Sequence, residues 1–224
     1  MTLLILACLA FLITHLGVSS TSLRSVLVDV MGRSAYLGFY SVMAGVTLGF
    51  MIYAYSQVSH VDFIWTPSKP LDALARAIMP FAFIFVVSGV LAPNPTAVMQ
   101  DKAVGRDLAA ILKITRHPVQ WGILLWAITH LGANGDVASI IFFGTFALLS
   151  GGGMVALDAK FRRRQEPEWQ AFFAKTSYWP FGAIISGRNT LGIKELDWIA
   201  IVVGVILYVL MYAYHTWVAG VPLI

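Results

Sequence analysis

PVQWGILLWAITHLGANGDVASIIFFGTFALLSGGGMVAL, residues 118–157, holds two apolar runs with only Asn134-Gly135-Asp136 between them. These three residue types adopt tight turns that larger or branched side chains resist, so the triplet reads as a turn. Pro118–Ala133 and Val137–Leu157 are therefore the arms of an antiparallel helical hairpin, each close to the ~20 residues that cross ~30 Å of hydrocarbon. The hairpin belongs in a bilayer.

Outward from it lie four more apolar runs, Leu3–Val18, Ala35–Tyr55, Leu71–Ala92 and Trp198–Ala219. The predicted fold is an all-α polytopic transmembrane bundle of six spans, one domain over residues 1–224, with five spans and one re-entrant segment as the alternative. Leu3–Val18 and Pro118–Ala133 are short and either extend into polar flanks or meet a thinned bilayer. Pro80, inside the third run, should kink its helix rather than end it. The first run lacks the positive leading region of a secretory signal and contains His15, so it reads as a retained helix.

Composition agrees. Hydrophobic residues are 58% of the 224 and charged residues 12%, about half the ~25% charged content of soluble domains. Cys8 is the only cysteine, which excludes a disulfide scaffold. The net charge of +4 comes from basic residues in loops between apolar runs, so no nucleic-acid partner is indicated. Six spans leave only Lys69 and Arg76 on one side and every other Lys and Arg on the opposite side. The basic side is then cytoplasmic, and both termini are periplasmic.

A charge at a helix centre in the membrane costs at least ~2.5 kcal/mol, so ionisable residues within the spans are the first functional candidates. His60, in the loop Ser56–Pro70, reads as a solvated loop residue. His215 reads as part of an interfacial belt with Tyr208, Tyr212, Tyr214 and Trp217. His15 and His130 instead fall inside apolar spans. At 1.5 Å per residue, His15 lies roughly 20 Å inward of Thr2 and His130 about 18 Å from Pro118, a vertical offset of about 8 Å in a ~30 Å core. Imidazoles that each reach roughly 6 Å from Cα to a shared metal can span that offset. Zinc prefers four protein ligands, or three with water. A porphyrin supplies four nitrogens of its own and needs only axial imidazoles. His15 and His130 thus read either as a haem pair or as separately hydrogen-bonded residues. Gly38, Gly45 and Gly49 share a face of the second helix, and the pair Gly45 and Gly49 either packs a neighbouring helix or admits a flat macrocycle.

Arg116-His117-Pro118-x-x-x-Gly122 opens the fourth run, with proline at the first helical position. The positive helix end adds to Arg116 and His117 and suits a carboxylate or phosphate. A haem propionate, a lipid head group and the carboxylate of S-adenosylmethionine all qualify; the other reading is a basic interfacial anchor. Farther on, within Asp158–Pro180, Arg162, Arg163 and Arg164 beside Glu166 and Glu168 either meet anionic lipid or close over whatever Arg116 holds.

Taken in order and spacing, three segments carry a family likeness: His15-Leu-Gly-Val-Ser-Ser-Thr-Ser-Leu-Arg24, Arg116-His117-Pro118-x-x-x-Gly122 and Trp126-Ala-Ile-Thr-His130-Leu-Gly-Ala-Asn-Gly-Asp136. With them the chain resembles, over almost its whole length, the NnrU family of bacterial membrane proteins, whose domain also occurs in plastid 15-cis-zeta-carotene isomerases. The resemblance implies a multi-pass protein of the bacterial inner (cytoplasmic) membrane. The isomerase branch implies a haem b held by the residues matching His15 and His130. It also implies an isomerase or oxidoreductase step on a hydrophobic or small gaseous substrate. Ala127 stands where that branch has a cysteine. In this reading Arg116 pairs with a propionate and His117 orients that pocket. The bacterial branch implies a part in denitrification and nitric oxide metabolism, either with haem or as a non-catalytic partner of a respiratory reductase. The same motif, with Arg164-Gln-Glu166-Pro-Glu168 and a downstream aromatic-proline pair, is also similar to isoprenylcysteine and phospholipid methyltransferases. That second likeness implies S-adenosylmethionine at Arg116, His117, Glu166 and Glu168.

Overall fold

The computed structural model describes residues 1–18, 21, 23–97 and 100–220. α1 (Thr2–Leu12) continues into a wide π turn, Ile13–Val18, and is followed by α2 (Leu23–Met31) and α3 (Arg33–Ser56). Next come α4 (Lys69–Leu91), a short α5 (Ala110–Ile114), α6 (Pro118–Asn134) and α7 (Val137–Arg162). α8 (Pro167–Lys175), α9 (Gly182–Ile185), α10 (Trp198–Ala213) and α11 (His215–Ala219) succeed them. Each of the six expected runs is helical. By length and composition α3, α4 and α7 can each cross a membrane, and the bent pair Thr2–Val18 with Leu23–Met31 makes a fourth if it is one span. The protein is a helical membrane protein; α6 and α10, at 17 and 16 residues, are shorter than those three.

α2 is an addition to the expected set. None of its residues is buried, and Leu23, Val26 and Val30 are exposed, as in a helix lying along an interface.

Local chemistry sets the boundaries. Pro118 opens α6, where a missing N–H goes unused. Asp136 caps α7 by accepting the Ser139 N–H at 2.9 Å. Between them Gly135 adopts φ +75°, and a Cβ there would stand 2.1 Å from the Trp65 carbonyl oxygen. The α3–α4 loop lies across this turn: Ile64 N–H donates to the Gly135 carbonyl at 2.9 Å, and Val137 N–H to the Asp62 carbonyl at 2.9 Å. Both connections therefore sit at one end of the bundle. α4 runs on through Pro80, which has no N–H for the Arg76 carbonyl. Tyr208 Oη of α10 donates to that carbonyl instead, at 3.2 Å.

α6 is the central element, packed between α4 and α7, while α10 covers α4 and α1 bridges α7 to α3. One apolar cluster joins α1, α3 and α7 through Leu4, Phe11, Met51, Phe142 and Phe143. A second, at the other end, joins Phe85 and Leu112 to Phe161, Trp169 and Phe172. The crossing of α4 and α6 depends on Gly122, where a Cβ would lie 2.6 Å from the Ala82 carbonyl oxygen and 2.5 Å from Val86 Cγ2. Gly45 and Gly49 meet nothing within 4 Å, so contact with a neighbouring helix does not keep them small. Gly122→Ala should overpack the crossing and cost about 1–3 kcal/mol. Gly45→Ala should melt like the parent in detergent, and equal melting of the two variants would refute the crossing argument.

Candidate functional site

Several threonines within the helices bond to their own backbone. Thr47, Thr129 and Thr145 donate to the carbonyls of Met43, Leu125 and Ile141, four residues back, at 2.8, 2.9 and 2.7 Å. His15 and His130 follow the same rule, with Nδ1 2.8 Å from the carbonyls of Phe11 and Trp126 respectively. A threonine has then used its only donor. An imidazole that donates from Nδ1 still carries a lone pair on Nε2, the nitrogen that takes a metal.

The two imidazoles sit on one aromatic seam without touching. From His15 the seam runs through Phe11, Phe146 and Trp126 to His130, with successive ring-centre separations of 4.0, 5.5, 5.1 and 5.2 Å. His15 lies in the π turn, a local widening that recurs at functional positions. Among the described residues no three His, Cys, Asp or Glu side chains converge as metal ligands. A metal on either imidazole would need donors beyond a three-residue protein cluster.

The remaining two histidines gain neighbours that the sequence did not indicate. The His215 ring stands 6.5 Å from the His130 ring at 27°. His60 is not merely solvated: its Nδ1 lies 2.9 Å from Asp136 Oδ1, and its ring meets Tyr55 edge-on at 4.7 Å. Tyr55 Oη and Ser139 Oγ are 2.7 Å apart, which extends the network inward. Burial pushes the Asp136 carboxyl up, but its bonds from Ser139 and His60 outweigh this and hold it below the usual carboxylate range.

At the opposite end, Arg116-His117-Pro118 makes a buried knot. Asp158 Oδ2 accepts from Arg116 Nη1 at 3.0 Å, and Asp158 Oδ1 accepts from His117 Nε2 at 2.6 Å. Arg116 Nη2 donates to the Thr176 carbonyl at 2.9 Å, and the guanidinium covers Phe173 at 4.1 Å. Its backbone is tied as well, with N–H to the Ser177 carbonyl at 2.9 Å and carbonyl to Thr96 Oγ1 at 3.0 Å. Arg116 is 3% exposed and His117 0%. The expected anion pocket is thus filled by the chain's own carboxylate, 42 residues away in sequence. Arg116 Nε and His117 Nδ1 remain buried without a hydrogen-bond partner. Burial lowers Arg116 to about 10, which leaves it charged at neutral pH. Burial also pulls His117 below the ordinary histidine value, against the opposing Asp158, so it stays neutral and donates from Nε2.

The family model described as NnrU protein matches residues 3–223. The chain belongs to the NnrU family. No curated protein and no solved structure matches it.

In this NnrU chain the four residues read as one S-adenosylmethionine site are divided. Glu168 lines an open cleft of about 960 Å³ with Arg106 and Lys175. Glu166 stands at the start of α8, while Arg116 and His117 are sealed in the knot and line no part of that cleft. The knot holds α6, α7 and the Thr176–Tyr178 segment together.

Asp158→Ala leaves Arg116 buried without its counter-ion, a change expected to cost about 3–5 kcal/mol. The pH dependence has a definite sign. His117 titrates below its unfolded value of 6.5, so its contribution is complete above that pH and is lost as pH falls toward the folded value. Melting temperature in detergent should drop on acidification from about pH 7 to about pH 5. His117→Gln should flatten that drop, and an equally steep fall in both proteins would contradict the assignment.

Proposed function

We propose that this NnrU chain is a six-span inner-membrane protein that holds haem b through His15 and His130 and serves nitrite or nitric oxide metabolism. The observation that carries the reading is the shared bonding of the two histidines. Each donates from Nδ1 to the carbonyl four residues back, which makes Nε2 the basic nitrogen of the neutral ring. Such an Nδ1 bond fixes the tautomer and raises ligand basicity. The donor chemistry fits: two imidazoles on apolar helical segments, with no group of three His, Cys, Asp or Glu converging on a metal among the described residues. When bound, haem b supplies one-electron redox chemistry. Phe11 packs on the His15 ring, and Trp126 and Phe143 on the His130 ring, so apolar aromatic surface flanks both imidazoles. Arg116 and His117 act in this reading as the joint of the cytoplasmic end rather than as propionate ligands.

The six-span reading draws on the loop bonds. The α3–α4 loop meets the α6–α7 turn, so α6 travels from the knot to the outer end despite its 17 residues. His60→Cys and Arg163→Cys should then label from opposite faces of sealed vesicles, since Cys8 is buried. Labelling from one face would mean that α6 does not cross.

The haem reading is tested by absorption. Protein purified in mild detergent should show a Soret band, and His15→Ala or His130→Ala should each remove it. A parent protein that stays colourless after reconstitution with haemin would end the proposal.

A further inference from the structure

α7, long and apolar enough to cross the membrane, ends at Arg162; in the six-span reading proposed above, the residues that follow stand at head-group level. There Phe161 and Trp169 stack at 4.4 Å and 9°. The Arg164 guanidinium lies 5.6 Å from the Phe161 ring centre and 5.1 Å from that of Trp169. Arg162 stands 5.2 Å from Phe173, whose ring also meets Arg116 at 4.1 Å. A groove of about 220 Å³ runs between the two arginines, lined by Phe161, Arg162, Arg164, Trp169, Gln170 and Phe173. Its floor is aromatic and its rim is guanidinium.

More positive charge gathers here than nearby acids can balance. Lys160 covers Phe161 at 5.3 Å and lies within electrostatic reach of Arg24, from α2, of Arg164, and of one acid, Asp101, which Arg164 also uses. Arg162 reaches Asp158 only at 3.6 Å, and that carboxylate already serves Arg116 and His117. Arg164 reaches Asp101 at 3.4 Å across a partly exposed gap. Arg163 has no ion-pair partner among the described residues. Like charges drawn together from α2 and the end of α7 are mutually repulsive unless an anion sits among them.

We propose that this groove seats the head group of an anionic phospholipid, its phosphate between Arg162 and Arg164 and its glycerol end on the Phe161–Trp169 floor. Guanidinium groups offer paired donors that match phosphate oxygens. An aromatic floor suits the glycerol and first acyl carbons, which a free phosphate lacks.

The test uses the full chain in mild detergent, titrated with phosphatidylglycerol or with phosphatidylcholine of the same chains, with retained lipid counted by native mass spectrometry. Phosphatidylglycerol should be retained in preference. Arg162→Gln with Arg164→Gln should weaken its retention about tenfold to thirtyfold while leaving phosphatidylcholine unchanged. Retention should also fall as salt rises, a readout that stands even where the double variant does not fold. Equal retention of the two lipids, undiminished retention by the variant, or indifference to salt would each overturn the proposal. Displacement of the lipid by inorganic phosphate at equal concentration would assign the groove to a free anion and likewise overturn it.

Discussion

The structure depends first on one carboxylate. Asp158 is shared between Arg116 and His117, and through them it holds the start of α6 against the end of α7. Burying charge is costly unless it is paired and hydrogen-bonded. Here Arg116 also satisfies the Thr176 carbonyl and lies on an aromatic ring, while His117 remains neutral. The trio is close to electroneutral. Removing any member exposes the cost that the other two conceal, so the knot makes its three segments interdependent.

The opposite end is fastened by lighter means. Asp136 caps α7 and accepts from His60, while backbone bonds from Ile64 and Val137 lace the α3–α4 loop to the turn. The hairpin of α6 and α7 is therefore held at both ends, by a buried ion trio at one and a polar clasp at the other. Between them its packing relies on close helix approach, where Gly122 of α6 and Gly89 of α4 each remove a Cβ that would hold the two helices apart. The glycine of the Arg116-His117-Pro118-x-x-x-Gly122 motif is structural for this reason.

Much of the architecture was legible because the bilayer enforces it. Long apolar runs become helices in lipid, where every backbone polar group needs an internal partner, and all six expected runs are helical. The turn at Asn134-Gly135-Asp136 was equally clear, since its residue types allow little else. What stayed hidden depends on distance in space. Nothing local to Arg116 announces Asp158 as its partner, and nothing near His60 announces Asp136, 76 residues on. The π turn at His15 leaves no mark in the apolar pattern, because a half-turn of widening does not change which residues are apolar.

The histidines show why burial alone is a poor guide to function. Lipid obliges any polar side chain to find a partner, and in this bundle the carbonyl four residues back supplies it for threonine and histidine alike. For threonine the account then closes, with the hydroxyl proton spent and the residue explained by packing. Histidine has two nitrogens, and donation from Nδ1 makes Nε2 the acceptor nitrogen of the neutral ring. Two such residues lie on one aromatic seam, His130 in α6 and His15 in a widened turn after α1.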